Sequence, residues 1–533
     1  MSSLLLVNGR IHTPTDPGAT ALLINDDRIA WVGHEGAALA QRDGVDRVID
    51  LAGALVTPAF VDAHVHTVVT GMDLQGVNLT NCRSGSEVIA EIARHCNPRP
   101  AGKIVLGHGW DETNWADQRV PTRSELDEAA PGIAIYLTRV DVHSALASTA
   151  LLEMLPDLTR LDGYSESGWL RAAAHYAARD AVLEGIPTEQ RQALHEAALQ
   201  AYAAAGIAAV HEMAGPKISP RNDLEQLLQL SGGDLPQVLH YWGELGGAET
   251  AVELGATGAG GDLFADGAIG SHTASLCSHY DDNSDSVGEA YLSVGDVRDH
   301  VVDCIRFDIQ AGFHAIGDAA LEIVTRGMVE AAEIVGIDTF RRGHHRIEHV
   351  EMPSVEAIKR ICDLGVTVSA QPAFEGLWGG PDGMYTQRLG KERVATMNPF
   401  GTFQKGGAPL AFGSDSPVTA IDPWGSVAAA VQHHNPSERI SARSAFNAHS
   451  RGGWRAVGIN DAGVIQPGYS AHVSVWGNTE LVVQAPDARI AQWSTDPSSG
   501  TPVLPLLGAD VPLPDCLMTV SNGRIIYDAD RLG

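Results

Sequence analysis

Residues 4–56 alternate short runs of β-branched and other apolar residues with turn-forming pairs. Leu4–Val7 and Arg10–His12 flank Asn8-Gly9, a pattern that predicts a hairpin. Ala21–Asn25 and Ile29–Val32 follow in the same style, joined by Asp26-Asp27. The far end behaves alike: His472–Trp476, Leu517–Val520, then Asn522-Gly523 before Arg524–Tyr527. Two β-rich ends around a different middle predict one small β-sandwich domain assembled from residues 1–56 and 463–533.

In the middle, apolar β runs alternate with longer Ala-rich helical stretches, the pattern of βα units and a parallel sheet. Eight strands are predicted: Leu55–His66, Ala208–Glu212, Gln237–Trp242, Asp262–Asp266, Gly312–Ile316, His345–His349, Val366–Ala370 and Leu410–Ser414. Helices are expected between them, for example Ala319–Val335 and Ser354–Leu364. The fold class is therefore α/β, a (β/α)₈ TIM barrel over residues 57–462. The first connection, 73–206, is too long for a barrel loop, and subtracting it leaves a core near the usual ~250 residues. An insertion subdomain is expected there, with strands Ile104–Gly107 and Ile133–Thr138 and a helical tail Thr188–Ala205.

The formal net charge of −30 repels phosphate backbones and anionic lipid, which argues against nucleic-acid and membrane-surface roles. No apolar run is long enough to span a bilayer. Met1–Arg10 lacks the pattern of a secretion signal. Cys82, Cys96, Cys277, Cys304, Cys362 and Cys516 form no CxxC pair. They read as reduced thiols, so a cytoplasmic location is expected. The expected partner is a small-molecule substrate, and a homo-oligomer is compatible with the sequence. Gly255–Gly261 is followed by no Gly-Lys-Ser/Thr, which removes a phosphate-binding loop. No GxSxG elbow accompanies an obvious triad, which argues against a serine hydrolase.

Candidate chemistry sits at the strand ends. Phe60-Val-Asp-Ala-His64-Val-His66-Thr67 places two imidazoles at i and i+2, on one side of a strand. A bare HxH fits packed barrel histidines as well as metal ligands. Three further strand ends change that balance: Phe313-His314-Ala-Ile-Gly-Asp318, Arg346-Ile-Glu-His349 and Phe412-Gly-Ser-Asp415. Four histidines and a carboxylate at the C-terminal mouth of a barrel, where its active sites form, point to a metal centre. Weaker candidates have ordinary alternatives. Asp266 and His272 flank a Gly-rich strand end, as substrate contacts or as a turn carboxylate and a surface histidine. Trp110, Asp111 and His143 lie in the insertion, as a substrate-pocket lid or as plain packing. Gln371 is a candidate hydrogen-bonding partner of substrate, and His433, His434 and His449 are expected on solvated helices or loops.

With these motifs the chain resembles the amidohydrolase superfamily, specifically the YtcJ-like branch that includes N-substituted formamide deformylases. The resemblance covers nearly the whole chain and also rests on Gly109-Trp110-Asp111, Pro121–Leu126, Arg139–His143, Phe264–Ala274, Gln371-Pro372 and Gly413–Asp415. It implies that His64, His66, His314, His349 and Asp415 are the metal-site residues, and it implies the composite β domain and the insertion. One position departs. In similar proteins a lysine two residues before the Phe-Ala-Asp-Gly element can be carboxylated and bridge two metals; here that position is Asp262. The five lysines are 103, 217, 359, 391 and 405, and only Lys217, after strand two, is a conceivable stand-in. Asp262 is a further candidate ligand, but its side chain is shorter than the carboxylated lysine. One tightly held divalent ion per chain is therefore expected, zinc first, with iron, manganese or nickel also compatible.

The expected reaction is hydrolysis of an amide-like C–N bond by a metal-activated water, with Asp415 as proton shuttle and His272 or an insertion residue stabilising the oxyanion. The alternatives are hydrolysis of another electrophile, such as an ester, cyclic amide or heterocycle, and a catalytically silent homologue that binds a ligand.

Overall fold

The computed structural model describes residues 2–38, 44–99, 104–112, 115–140, 144–216, 218–219, 221–477, 480–482, 503–508 and 511–533. Eight parallel strands form one sheet in chain order: Phe60–Val65, Ile207–Ala214, Gln237–Trp242, Gly258–Ala259, Gln310–Ala315, Arg346–His349, Thr367–Ala370 and Leu410–Phe412. A parallel bridge between Val65 and Ser416 joins the first strand to the segment after the eighth. Helices cover the strand-to-strand connections, and their limits follow local chemistry. Val355–Leu364 starts where Ser354 accepts from the Ala357 amide and stops at Gly365, whose φ of 71° no β-branched residue would tolerate well.

Three expectations need correction. The run from Leu55 to His66 is two strands. Leu55–Pro58 pairs with Val473–Trp476 in a terminal sheet, and Phe60–Val65 enters the barrel. The fourth barrel strand is Gly258–Ala259 rather than Asp262–Asp266, and only Phe264 of the later segment bridges to His314. The reason is the glycines between. Gly260 has φ 147° and runs so close to strand five that a Cβ would lie 2.3 Å from the Gly312 nitrogen, while Gly261 turns at φ 76°. Finally, Asn8-Gly9 does not close a hairpin. Ser3–Val7 pairs with Ala21–Asn25 and Arg47–Asp50, whereas Arg10–Ile11 pairs with Leu55–Pro58 in another sheet. The Asp26-Asp27 and Asn522-Gly523 turns do join antiparallel neighbours.

The terminal strands share one apolar core, with Leu4, Leu6, Leu22, Ile24 and Val56 packed beside Val473, Val475, Met518 and Val520. The chain divides into two compact units: Met1–His66, Leu199–Ile218 and Leu230–Gly533 in one, Thr67–Ala198 and Ser219–Gln229 in the other. The second unit has a five-stranded sheet ordered Trp169–Arg171, Ser144–Ala147, Ile135–Arg139, Val105–Trp110, Val77–Asn78. Its faces are filled by two apolar clusters, one around Leu106, Tyr136 and Leu151, the other around Val88, Trp110 and Leu137.

Candidate metal centre

Strand one delivers His64 and His66 to one side, with ring centroids 5.4 Å apart. Strand five brings His314 and strand six His349, whose rings are 4.5 Å apart; His64 and His349 are separated by 4.9 Å. Asp415 follows strand eight, held against strand one by its own amide donating to the His64 carbonyl at 2.8 Å. Gly413 makes this approach possible, because a Cβ there would lie 2.6 Å from the His64 nitrogen and 2.8 Å from Asp62 Oδ1. His349, Val350 and Asp415 all have left-handed backbone, with φ of 69°, 53° and 55°. For a β-branched residue such as Val350 that conformation is strained, and strain of this kind collects at functional sites.

The outward nitrogens of three rings are tied down. His64 Nδ1 donates to Glu348 Oε2 at 2.9 Å, His349 Nδ1 to Gln371 Oε1 at 2.7 Å, and His314 Nε2 to the Gly267 carbonyl at 3.2 Å. This network fixes the tautomers and leaves His64 Nε2, His349 Nε2 and His314 Nδ1 as lone-pair donors towards the centre. His64 Nε2, His314 Nδ1, Asp262 Oδ1 and Asp415 Oδ1 are buried without a hydrogen-bond partner. Orphaned polar atoms of this kind are costly unless a cation or other group satisfies them. Imidazole nitrogen with carboxylate oxygen is the donor set that divalent zinc and its neighbours take, so the residues present fit a divalent cation.

Asp262 lies in the middle. Its Oδ1 is 3.4 Å from His64 Nε2, 3.6 Å from His314 Nδ1 and 3.9 Å from His349 Nε2, and its Oδ2 is 3.1 Å from His66 Nε2. Asp415 Oδ1 is 3.5 Å from His64 Nε2 and 3.2 Å from His66 Nε2. Ligand atoms about 2.0–2.2 Å from a tetrahedral ion lie roughly 3.3–3.6 Å from one another, close to these separations. The expectation that an aspartate falls short of the centre therefore fails. The turn at Gly260-Gly261 takes position 262 out of the strand and brings its short side chain to the histidines. The carboxylates also dominate the field: burial opposes charge on His66, yet hydrogen bonds to Asp262 and Asp415 outweigh it and push the ring up to about 10 when no cation is bound.

The amidohydrolase family model matches residues 47–527. The chain belongs to the amidohydrolase family. Two relatives are the N-substituted formamide deformylase of Arthrobacter pascens, 26% identical over 89% of this chain and 93% of its own, and the putative amidohydrolase YtcJ of Bacillus subtilis, 24% identical over 90% of each. A solved uncharacterized metal-dependent hydrolase from Pyrococcus furiosus superposes with a TM-score of 0.73 at 27% identity, over 89% of this chain and 98% of that one.

In this amidohydrolase the remaining sequence candidates fall in several places. Asp266 accepts from the Ser275, Ile316 and Gly317 amides at 2.8, 3.0 and 2.8 Å, so its carboxylate clips the loop after strand four to the end of strand five. It also stands 3.8 Å from His314 Nε2. His272 bonds Asp282 at 2.9 Å and packs on Tyr280. Trp110 is buried in the second unit, its indole N–H donating to the Leu137 carbonyl at 2.9 Å, and Asp111 pairs with Arg139 at 2.8 Å. His143 and Lys217 lie outside the described residues. Contrary to expectation, His433 and His449 are buried: His433 Nε2 faces the Asn398 carbonyl, and His449 Nδ1 faces the Val61 carbonyl. Missed altogether was the brace behind His64. Arg346 bonds both oxygens of Glu348, at 2.5 and 2.8 Å, and also reaches the Ala63 carbonyl, Ser369, Tyr241 and His211. The signal available was an arginine and a glutamate at i and i+2 inside a strand otherwise fit only for burial.

Among the described residues no helix is long and apolar enough to cross a membrane.

Proposed function

We propose that this amidohydrolase cleaves an amide-like C–N bond in a small substrate, an N-substituted formamide or a related amide, with zinc as the favoured ion. The reading is carried by the converging, buried and unpartnered donors of His64, His314, Asp262 and Asp415. The name of the Arthrobacter relative supports the choice of bond. His64, His66, His314, His349 and Asp415 hold the cation. When bound, the cation supplies a more acidic water and polarises the scissile carbonyl. Asp415 then takes the proton of the attacking water and delivers it to the departing nitrogen, since one carboxylate in reach of both atoms serves both steps. Gln371 uses its oxygen on His349, which leaves its buried amide N–H₂ as a donor for a substrate carbonyl.

The test is turnover of N-substituted formamides, longer acyl amides and esters by the metal-loaded chain. Amide hydrolysis is expected to vanish on chelation and return with metal. Asp415→Asn is expected to lower kcat by about 10²–10⁴-fold. Amide turnover indifferent to chelators, or absent with every divalent metal tried, overturns the proposal.

A further inference from the structure

We propose that Glu351 and Tyr385, with Phe374 and Trp378, form a recognition pocket for a cationic amine, so that the preferred substrate carries an ammonium group remote from its scissile bond. The inference deepens the reading above and rests on it only in taking the substrate to be a small amide. The segment after strand six carries Glu351 two residues beyond His349. The helix Pro372–Trp378, after strand seven, lays Phe374 against the His349 ring, with centroids 6.0 Å apart and planes 9° from parallel. Phe374 packs in turn on Trp378 at 4.8 Å, and Trp378 meets Tyr385 at 6.0 Å and 70°. The pocket therefore shares a wall with the candidate metal centre, while none of its own residues is a proposed ligand.

Two polar groups in this apolar surrounding are left over. Glu351 is 3% exposed and Tyr385 1%, and Tyr385 belongs to a buried cluster with Ile316, Met352 and Phe374. The Tyr385 hydroxyl stands beside the Glu351 carboxylate. Yet Glu351 Oε2 and the hydroxyl oxygen are both buried without a hydrogen-bond partner. The neighbouring acids are not in this condition. Asp266 uses both oxygens on three backbone amides, and Glu375 accepts from His434 Nδ1 at 3.0 Å on one oxygen and from Asn398 Nδ2 at 3.3 Å on the other. Of these three, Glu351 has an oxygen to offer, and leaving it unsatisfied is costly. Asp266 and Glu375 add negative charge around it, against the His314 ring. An ammonium answers each feature. It donates to Glu351 Oε2 and to the phenol oxygen, it meets the negative field, and it lies against aromatic faces that attract cations. An apolar tail would leave both oxygens unsatisfied. Trp378 and Met384 are half-buried, so the cluster reaches the surface on that side.

The probes are mono-N-formyl diaminoalkanes of increasing chain length, each paired with the N-alkylformamide in which a methyl group replaces the terminal ammonium. Affinity for the metal-loaded full chain is measured by titration calorimetry, and kcat/KM as well for each pair that is turned over. Metal loading keeps the ammonium away from the Asp262 and Asp415 carboxylates. At the chain length that spans from the metal centre to Glu351, the ammonium member is expected to be favoured by about 10–100-fold, the worth of a hydrogen bond to a charged group. Glu351→Gln is expected to abolish this preference and Tyr385→Phe to weaken it. Should Glu351→Gln not fold, Tyr385→Phe decides: a weakened preference supports the proposal and an unchanged one overturns it. Equal affinity or none within every pair, as expected if ordered water alone occupies the pocket, also overturns it, and so does a preference that Glu351→Gln leaves intact. Preferential binding of the ammonium member without hydrolysis would sink the amide-hydrolase reading alone; hydrolysis of both members with equal kcat/KM would sink this one alone.

Discussion

Replacing Glu348 by glutamine tests the brace behind His64. Glu348 is fully buried and accepts three hydrogen bonds, two from Arg346 at 2.5 and 2.8 Å and one from His64 Nδ1 at 2.9 Å. Glutamine offers one oxygen and one N–H₂, so one of these three donors must then face another donor. Arg346 becomes a buried cation without its counter-charge, and breaking such a pair typically costs about 3–5 kcal/mol. The low end applies here, because Arg346 keeps the Ala63 carbonyl and Ser369 at 2.7 Å each and Tyr241 at 3.0 Å. A loss of ~3 kcal/mol is a large share of an ordinary folding stability of roughly 5–15 kcal/mol. The proposed ligand His64 is affected too. A freed His64 ring can rotate or change tautomer, and losing such an outer partner lowers metal affinity about 10–100-fold. Urea unfolding of the metal-free chain measures the first effect, and competition against a chelator of known affinity measures the second. Arg346→Met combined with Glu348→Gln is expected to recover part of the stability but not the metal affinity. If Glu348→Gln alone unfolds within ~0.5 kcal/mol of wild type and holds metal equally well, the brace has no such role.

Gly413→Ala places a methyl 2.6 Å from the His64 nitrogen. It is expected to cost about 1–3 kcal/mol and to weaken metal binding, and normal metal content with an unchanged melting temperature would contradict this. Burial pulls His472 down to about 4 from its ordinary 6.5. The unfolded chain then binds more protons between those values, so stability falls as pH drops from 6.5 towards 4, by about 1.4 kcal/mol per pH unit at the steepest. His12, also drawn down to about 4 by burial, acts in the same sense. Urea midpoints across this window should flatten in His472→Gln, and an equally steep or steeper profile would refute the assignment. Trp110→Ala removes a buried indole from the core of the second unit and is expected to destabilise that unit by about 3–5 kcal/mol. Hydrogen exchange over residues 67–198 would show it, and unchanged protection would argue against it.

What the sequence determined by itself was the barrel and the histidines and carboxylate that lie at its strand ends. His64 and His66 share a face because strand side chains repeat every two residues, and that period is local. The βα alternation is equally local, since each amphipathic stretch advertises its own period. The tertiary structure alone decided three matters. The split of Leu55–His66 depends on two sheets competing for one extended run. The central place of Asp262 depends on Gly260 meeting Gly312 fifty-two residues along the chain, a close approach between backbones that leaves no periodic trace. The brace of Arg346, Glu348 and His64 joins strands six and one, 284 residues apart for its histidine contact, and a buried charge pair is invisible until its partners are brought together. Local pattern thus names the side chains that can bind a cation, while long-range packing sets which atoms face it and which neighbours hold them there.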